Sequence, residues 1–178
     1  MPVHQFTLIV DGPDLQDASL IDAVFEAGCG DAAAGRIDGV QYVDFDREAL
    51  TLDQAVLSAV VDLERIDGVR VVRIADAGLV SMADIAARIG RTREGVRLMI
   101  TGARGPGGFP PPITDPRSRY RLWRWSDVAL WLTRNLGEEM SDANDEILAA
   151  LNAGLELRHH RRRLARCDHA KLDALVEL

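Results

Sequence analysis

Ten arginines fall between residues 77 and 136 against four acidic residues, a local balance of +6 in a chain whose formal net charge is −7. Residues 1–76 carry five Arg and fifteen Asp/Glu, so the basic island stands in an acidic chain. Several of these arginines sit at spacings that aim their side chains in one direction. Arg93 and Arg97 are one helical turn apart, and Arg119 and Arg121 are alternate residues of an extended run. A guanidinium fork presents planar donors that match phosphate oxygens or the acceptor edge of guanine. A basic island of this kind is the electrostatic footprint of a polyanion-binding module. Of the 21 basic residues only Lys171 is a lysine, a bias that GC-rich coding would also produce.

Short helices and a loop must position these groups. Ser81 with Asp84 three residues on has capping-box spacing and opens a first helix whose apolar side is Ala83, Ile85, Ala86 and Ile89. Gly90 permits the left-handed turn that ends it, and with Ala86 offers small residues where two helices cross. Thr92 caps a second helix with Val96, Met99 and Ile100 turned inward, leaving Arg93, Glu94, Arg97 and Thr101 outward. Gly105-Pro106-Gly107-Gly108 and Phe109-Pro110-Pro111-Pro112 cannot be helical. Arg119–Trp125 then alternates as a strand, with Arg119, Arg121, Trp123 and Trp125 on one face and Tyr120, Leu122 and Arg124 on the other. Ser126 starts a closing helix, Asp127–Leu136.

The first 76 residues read as β-α-β-β-α-β. His4–Val10, Asp31–Arg36, Val40–Phe45 and Val69–Ile74 are the strands, with turns at Asp11-Gly12-Pro13 and Asp38-Gly39. Ser19, with Asp22, caps a helix with Leu20, Ile21, Val24 and Phe25 on its buried face. Thr51, with Gln54, caps another with Leu52, Val56, Ala59, Val60 and Leu63 buried. This order is the ferredoxin-like split βαβ arrangement, and Asp76-Ala77-Gly78 is the boundary that follows it. After Gly137 the chain is helical, with Ser141 as the cap of Asp142–Leu157. Ile147, Leu148, Leu151, Leu155, Leu164, Leu172, Leu175 and Val176 fall at helical spacing, in one long helix or a hairpin. The expected fold class is therefore α+β: a ferredoxin-like domain at 1–76, a central winged helix-turn-helix at 77–137 and a helical dimerisation segment at 138–178.

Other chemistries find little support. The acids Asp11, Asp14, Asp17, Asp44 and Asp46 fall in turns and at strand ends, where solvated carboxylates are ordinary. His159, His160, Cys167 and His169 suggest zinc, but on one helix His160 and Cys167 lie about 10.5 Å apart, too far for ligands about 2.0–2.3 Å from one ion. The sequence has no P-loop, GxGxxG, HExxH or nucleophile elbow. No enzyme activity, metal or cofactor is expected. No apolar run reaches membrane-span length, and the N-terminus lacks secretory-signal features. With Cys29 and Cys167 making no CxxC pair, a cytoplasmic protein without membrane contact is expected.

LVSMADIAARIGRTREGVRLMI, residues 79–100, resembles the helix-turn-helix of the MerR superfamily. GFPPPI, from Gly108, and RLWRWSDVALWL, ending at Leu132, are similar to the wing and third helix of its excisionase/AlpA-type branch. The likeness implies a winged helix-turn-helix that binds double-stranded DNA, with Arg91, Arg93, Glu94 and Arg97 in the groove role and Arg119 and Arg121 in the wing role. Thr101, Arg104, Arg117 and Arg124 complete the expected DNA-binding set. Members of that branch are usually little more than this module, whereas here another domain precedes it. The expected function is a sequence-specific transcriptional regulator acting as a homodimer. The alternative is an antitoxin-like interaction protein whose acidic N-terminal domain binds a basic protein partner, with DNA binding serving autoregulation.

Overall fold

In the computed structural model, residues 1–75, 78–138, 143–164 and 166–176 are described. Asp76 and Ala77 at the expected boundary, Ser141 as an expected cap, and the side chain of Cys167 lie outside the described residues. The chain is a mixed α+β protein with an N-terminal antiparallel sheet and, among the described residues, seven helices. It divides into two compact units, residues 1–75 with 150–178, and residues 76–149. No helix of the described residues is long and apolar enough to cross a membrane.

In the first unit β1 (Val3–Asp11), β2 (Ala32–Ile37), β3 (Val40–Glu48) and β4 (Arg70–Ile74) form one sheet in the order β2-β3-β1-β4, every neighbouring pair antiparallel. Alternation sorts the strands into two faces. Leu8, Val10, Val43, Phe45, Val71 and Ile74 are buried on one of them. Helix α2 (Leu52–Leu63) packs there with Ala55, Val56, Ala59, Val60 and Leu63. Thr51 occupies its N-cap, but its side chain makes no capping hydrogen bond. The hairpin between β2 and β3 turns at Asp38-Gly39, where both residues have positive φ, as a two-residue hairpin turn demands.

Helix α1 (Ala18–Glu26) departs from expectation twice. Asp17, not Ser19, is the N-cap, its carboxylate accepting from the Ser19 amide at 3.0 Å. Leu20 and Val24 are half-buried, but Ile21 and Phe25 are 56% and 73% exposed. Two adjacent apolar stripes run along this short helix, and only one can meet the sheet.

The second unit builds its core from Val80, Ile85, Ala86, Val96, Met99, Trp123, Trp125, Val128, Trp131 and Leu132. β5 (Leu79–Ser81) pairs antiparallel with β6 (Leu122–Arg124). Between them lie α3 (Met82–Arg88) and α4 (Arg93–Ile100), and α5 (Trp125–Leu136) follows. The strand expected over Arg119–Trp125 is thus only three residues long, and α5 starts at Trp125. Ser126 lies buried inside α5, and Arg124 occupies the N-cap position without a side-chain bond.

α6 (Ala143–Arg161) and α7 (Arg166–Val176) form two helices joined by a turn. An Arg161–Asp173 ion pair at 2.9 Å links them. The sequence set residues 138–178 apart as one segment; in the structure, residues from 150 on group with 1–75. Two polar side chains of α6 account for this. Asn152, buried, accepts the Ile74 amide at 2.7 Å, and Arg158 pairs with Glu64 at 2.7 Å while donating to the Val71 carbonyl.

Candidate nucleic-acid interface

Side-chain caps fix α3 and α4 relative to their flanking turns. The Ser81 hydroxyl accepts from the Asp84 amide while the Asp84 carboxylate accepts from the Ser81 amide, a complete capping box. The Ser81 hydroxyl also donates to the Asp84 carboxylate at 2.7 Å, and that bond, with the Ser81 amide, holds the Asp84 carboxyl below the usual carboxylate range. Gly90 ends α3 with φ +63°, and the Arg91 amide closes back onto the Ala86 carbonyl at 2.9 Å. A β-carbon at Gly90 would meet nothing within 4 Å. The glycine is therefore required by backbone conformation, not by the close helix crossing the sequence suggested. Thr92 then caps α4 by accepting from the Gly95 amide at 3.1 Å.

The loop between α4 and β6 is irregular but anchored. The Trp131 and Trp123 indole N–H groups donate to the carbonyls of Gly107 and Pro110 at 3.0 and 3.1 Å, and the Phe109 ring packs on both indoles. Further on, the Ile113 amide donates to Leu122 and the Leu122 amide to the Thr114 hydroxyl, closing a loop. Its tip is a turn, Asp115-Pro116-Arg117-Ser118, closed by a 2.8 Å bond from Ser118 to Asp115.

This construction brings Arg93, at the start of α4, together with Arg119 and Arg121 of the loop. The three line one groove of about 250 Å³ with Ser81, Met82 and Tyr120. None of the three arginines has an ion-pair partner among the described residues. Arg121 lies over the Trp123 ring at 5.6 Å and Arg119 beside the Tyr120 ring at 5.9 Å, which limits their swing.

Other expected residues are engaged elsewhere. Arg97 forms a two-pronged pair with Glu94 at 2.8 and 2.7 Å, and Arg117 does the same with Asp115 at 3.0 and 2.8 Å. Each bond lowers its carboxylate's pKa and raises that of its arginine. Arg91 pairs with Glu138. The Thr101 hydroxyl bonds the Leu98 carbonyl. Arg104 is exposed just past α4 and Arg124 is half-buried; neither lines the groove.

Tyr120 was placed on the face opposite Arg119 and Arg121, by strand alternation. Residues 119–121 precede β6, so alternation does not govern them, and all three line the groove with Tyr120 76% exposed. Arg88, outside the expected set, lies over the Trp125 ring at 4.8 Å. An aromatic residue flanked by two arginines was the sequence signal for Tyr120. Among the described residues no cluster of His, Cys, Asp or Glu could hold a metal ion. Comparison with protein-family models, curated proteins and solved structures returns no match to this chain.

Proposed function

We propose that the chain is a sequence-specific double-stranded DNA-binding protein that acts as a transcriptional regulator in two copies. One observation carries the reading: Arg93, Arg119 and Arg121 converge on one groove, and among the described residues no acidic side chain pairs with them. In this reading α3 and α4 are a helix-turn-helix of MerR and excisionase type, α4 enters the major groove, and the loop from Gly105 to Arg121 is the wing. The start of α4 supports it, since the first-turn amides that Thr92 leaves uncapped offer donors and positive dipole to a phosphate. Arg93 stands at that turn. The first unit is then a ferredoxin-like accessory domain, a reading supported by its strand order and all-antiparallel pairing.

Selection of bound duplexes from a random pool tests the reading. The full-length protein is expected to enrich one motif, and Arg93→Ala, which removes a phosphate contact, to weaken all bound duplexes about alike without changing that motif. Recovery of no motif, with no retardation of any duplex at low salt, would reject it.

A further inference from the structure

The sheet of the first unit has two edges that the chain treats differently. At β4, Asn152 and Arg158 satisfy the outward backbone groups of Ile74 and Val71. At β2 no strand of the described chain pairs with the outer side. Exposed edges are normally blunted by lysine, proline or a bulge. β2 reads AAAGRI, and its pairing with β3 runs in unbroken register. Its one charge, Arg36, is tied to Asp14 at 2.8 Å.

Apolar side chains flank this open edge. Ile21 and Phe25 of α1 are 56% and 73% exposed, and Ile37 and Val40 at the hairpin end are 61% and 48% exposed. A groove beside α1, walled by Ile21, Val24 and Phe25, includes Ala32 and Ala34 of β2 in its lining. On the other face the Tyr42 ring lies across Gly35, so close that a β-carbon there would meet it at 2.3 Å.

We propose that β2 pairs with β2 of a second copy, antiparallel about a two-fold axis, bringing the two α1 helices together through Ile21 and Phe25. This deepens the two-copy part of the proposed function and rests on it only for its use on DNA. A two-fold contact needs a surface complementary to itself, and a short strand of small side chains flanked by apolar groups meets that need. Allowing roughly 200 Å² for a phenylalanine and roughly 120–140 Å² for each aliphatic side chain, the four residues offer about 750 Å² of apolar surface over two copies. The backbone and alanines of β2 bring this toward the roughly 1,200 Å² at which stable interfaces begin. Residues 1–75 carry five Arg and fourteen Asp/Glu, so like-charge repulsion opposes the contact and added salt strengthens it. Salt weakens DNA binding, so the two processes carry opposite signs.

Sedimentation velocity of the full-length protein without DNA is the test, from micromolar to tens of micromolar, at low and high salt. The expected result is a monomer–dimer equilibrium that tightens with salt. Phe25→Glu and, independently, Ile37→Lys should raise the dissociation constant at least ~30-fold, the size of a hot-spot loss, with unchanged far-UV circular dichroism. Leu175→Glu on α7, where Leu175 is 67% exposed, should leave it unchanged. A wild-type monomer at both salts, or Phe25→Glu and Ile37→Lys proteins that associate as wild type, overturns the inference. Loss of the dimer in those variants upholds it even where duplex binding proves absent, which would reject the DNA reading alone.

Discussion

Arg47 is the buried keystone of the first unit, and its removal should be severe and pH-dependent. It is 6% exposed and donates to both Asp31 carboxylate oxygens at 2.8 and 3.0 Å, to Asp62 at 2.8 Å, to the Ser58 hydroxyl and to the Gly28 carbonyl. Arg47→Met keeps most of the aliphatic stem but strands two carboxylates. Breaking a buried pair from one side costs about 3–5 kcal/mol. Here Asp31 is 29% exposed and Asp62 keeps Arg65 at 2.9 Å. The expected loss is therefore about 2–4 kcal/mol at neutral pH. Hydrogen bonding to Arg47 holds the Asp31 pKa below its ordinary 3.8. A depressed carboxylate stabilises the fold above its unfolded pKa, and that contribution disappears as pH falls through the folded value. The wild-type advantage should thus be full at neutral pH and shrink below 3.8, where Asp31 takes up its proton. Urea unfolding followed by far-UV circular dichroism measures the difference. All three tryptophans belong to the second unit, so tryptophan fluorescence gives an internal control expected to change little. A loss under about 0.5 kcal/mol, or one that does not shrink in acid, would refute the reasoning.

Glu94→Gln should free Arg97 and remove a negative charge from the proposed DNA face, steepening the slope of log K against log[salt] by about 0.9 per chain, as read by fluorescence anisotropy. An unchanged slope with weaker binding would instead make Glu94 a base-reading acceptor. Asn152→Ala should leave the Ile74 amide unsatisfied at the β4 edge, costing about 1–3 kcal/mol in denaturant unfolding and exposing that edge to aggregation. Ser81→Ala should cost about 0.5–2 kcal/mol by loss of the capping box, read in the tryptophan fluorescence transition of the second unit.

What was legible in the sequence followed from local rules. The capping box at Ser81, the left-handed glycine at 90 and the Asp38-Gly39 hairpin each depend on a few adjacent residues, and each is present. The strand order and the β4 edge were less accessible because they depend on pairings far apart in sequence. Arg158 and Glu64 are 94 residues apart, and in the sequence the run Arg158–Arg163 allows an extension of the DNA footprint, a dock on the acidic N-terminal domain or a solvated helix face; the Arg158–Glu64 pair is of the second kind. Arg47 gave no signal, since the expected strand ended at Phe45; only the longer β3 carries it onto the buried face of Val43 and Phe45, where Asp31 and Asp62 meet it. In the candidate site the arginines were visible, but their pairing was not. Glu94 and Asp115 each take one arginine out of play, and only geometry separates those from Arg93, Arg119 and Arg121.

The most direct measurement is the salt dependence of duplex binding by the full-length protein and by its Arg93→Ser/Arg119→Ser/Arg121→Ser variant. With Arg93, Arg104, Arg119 and Arg121 on phosphates in each of two copies, log K should fall with log[salt] at a slope of roughly −7. The triple variant should fold normally and retain a slope of only about −2, with binding lost at moderate salt. A wild-type slope near zero, or a variant that binds as tightly and as steeply as wild type, would contradict the assignment of this groove to DNA.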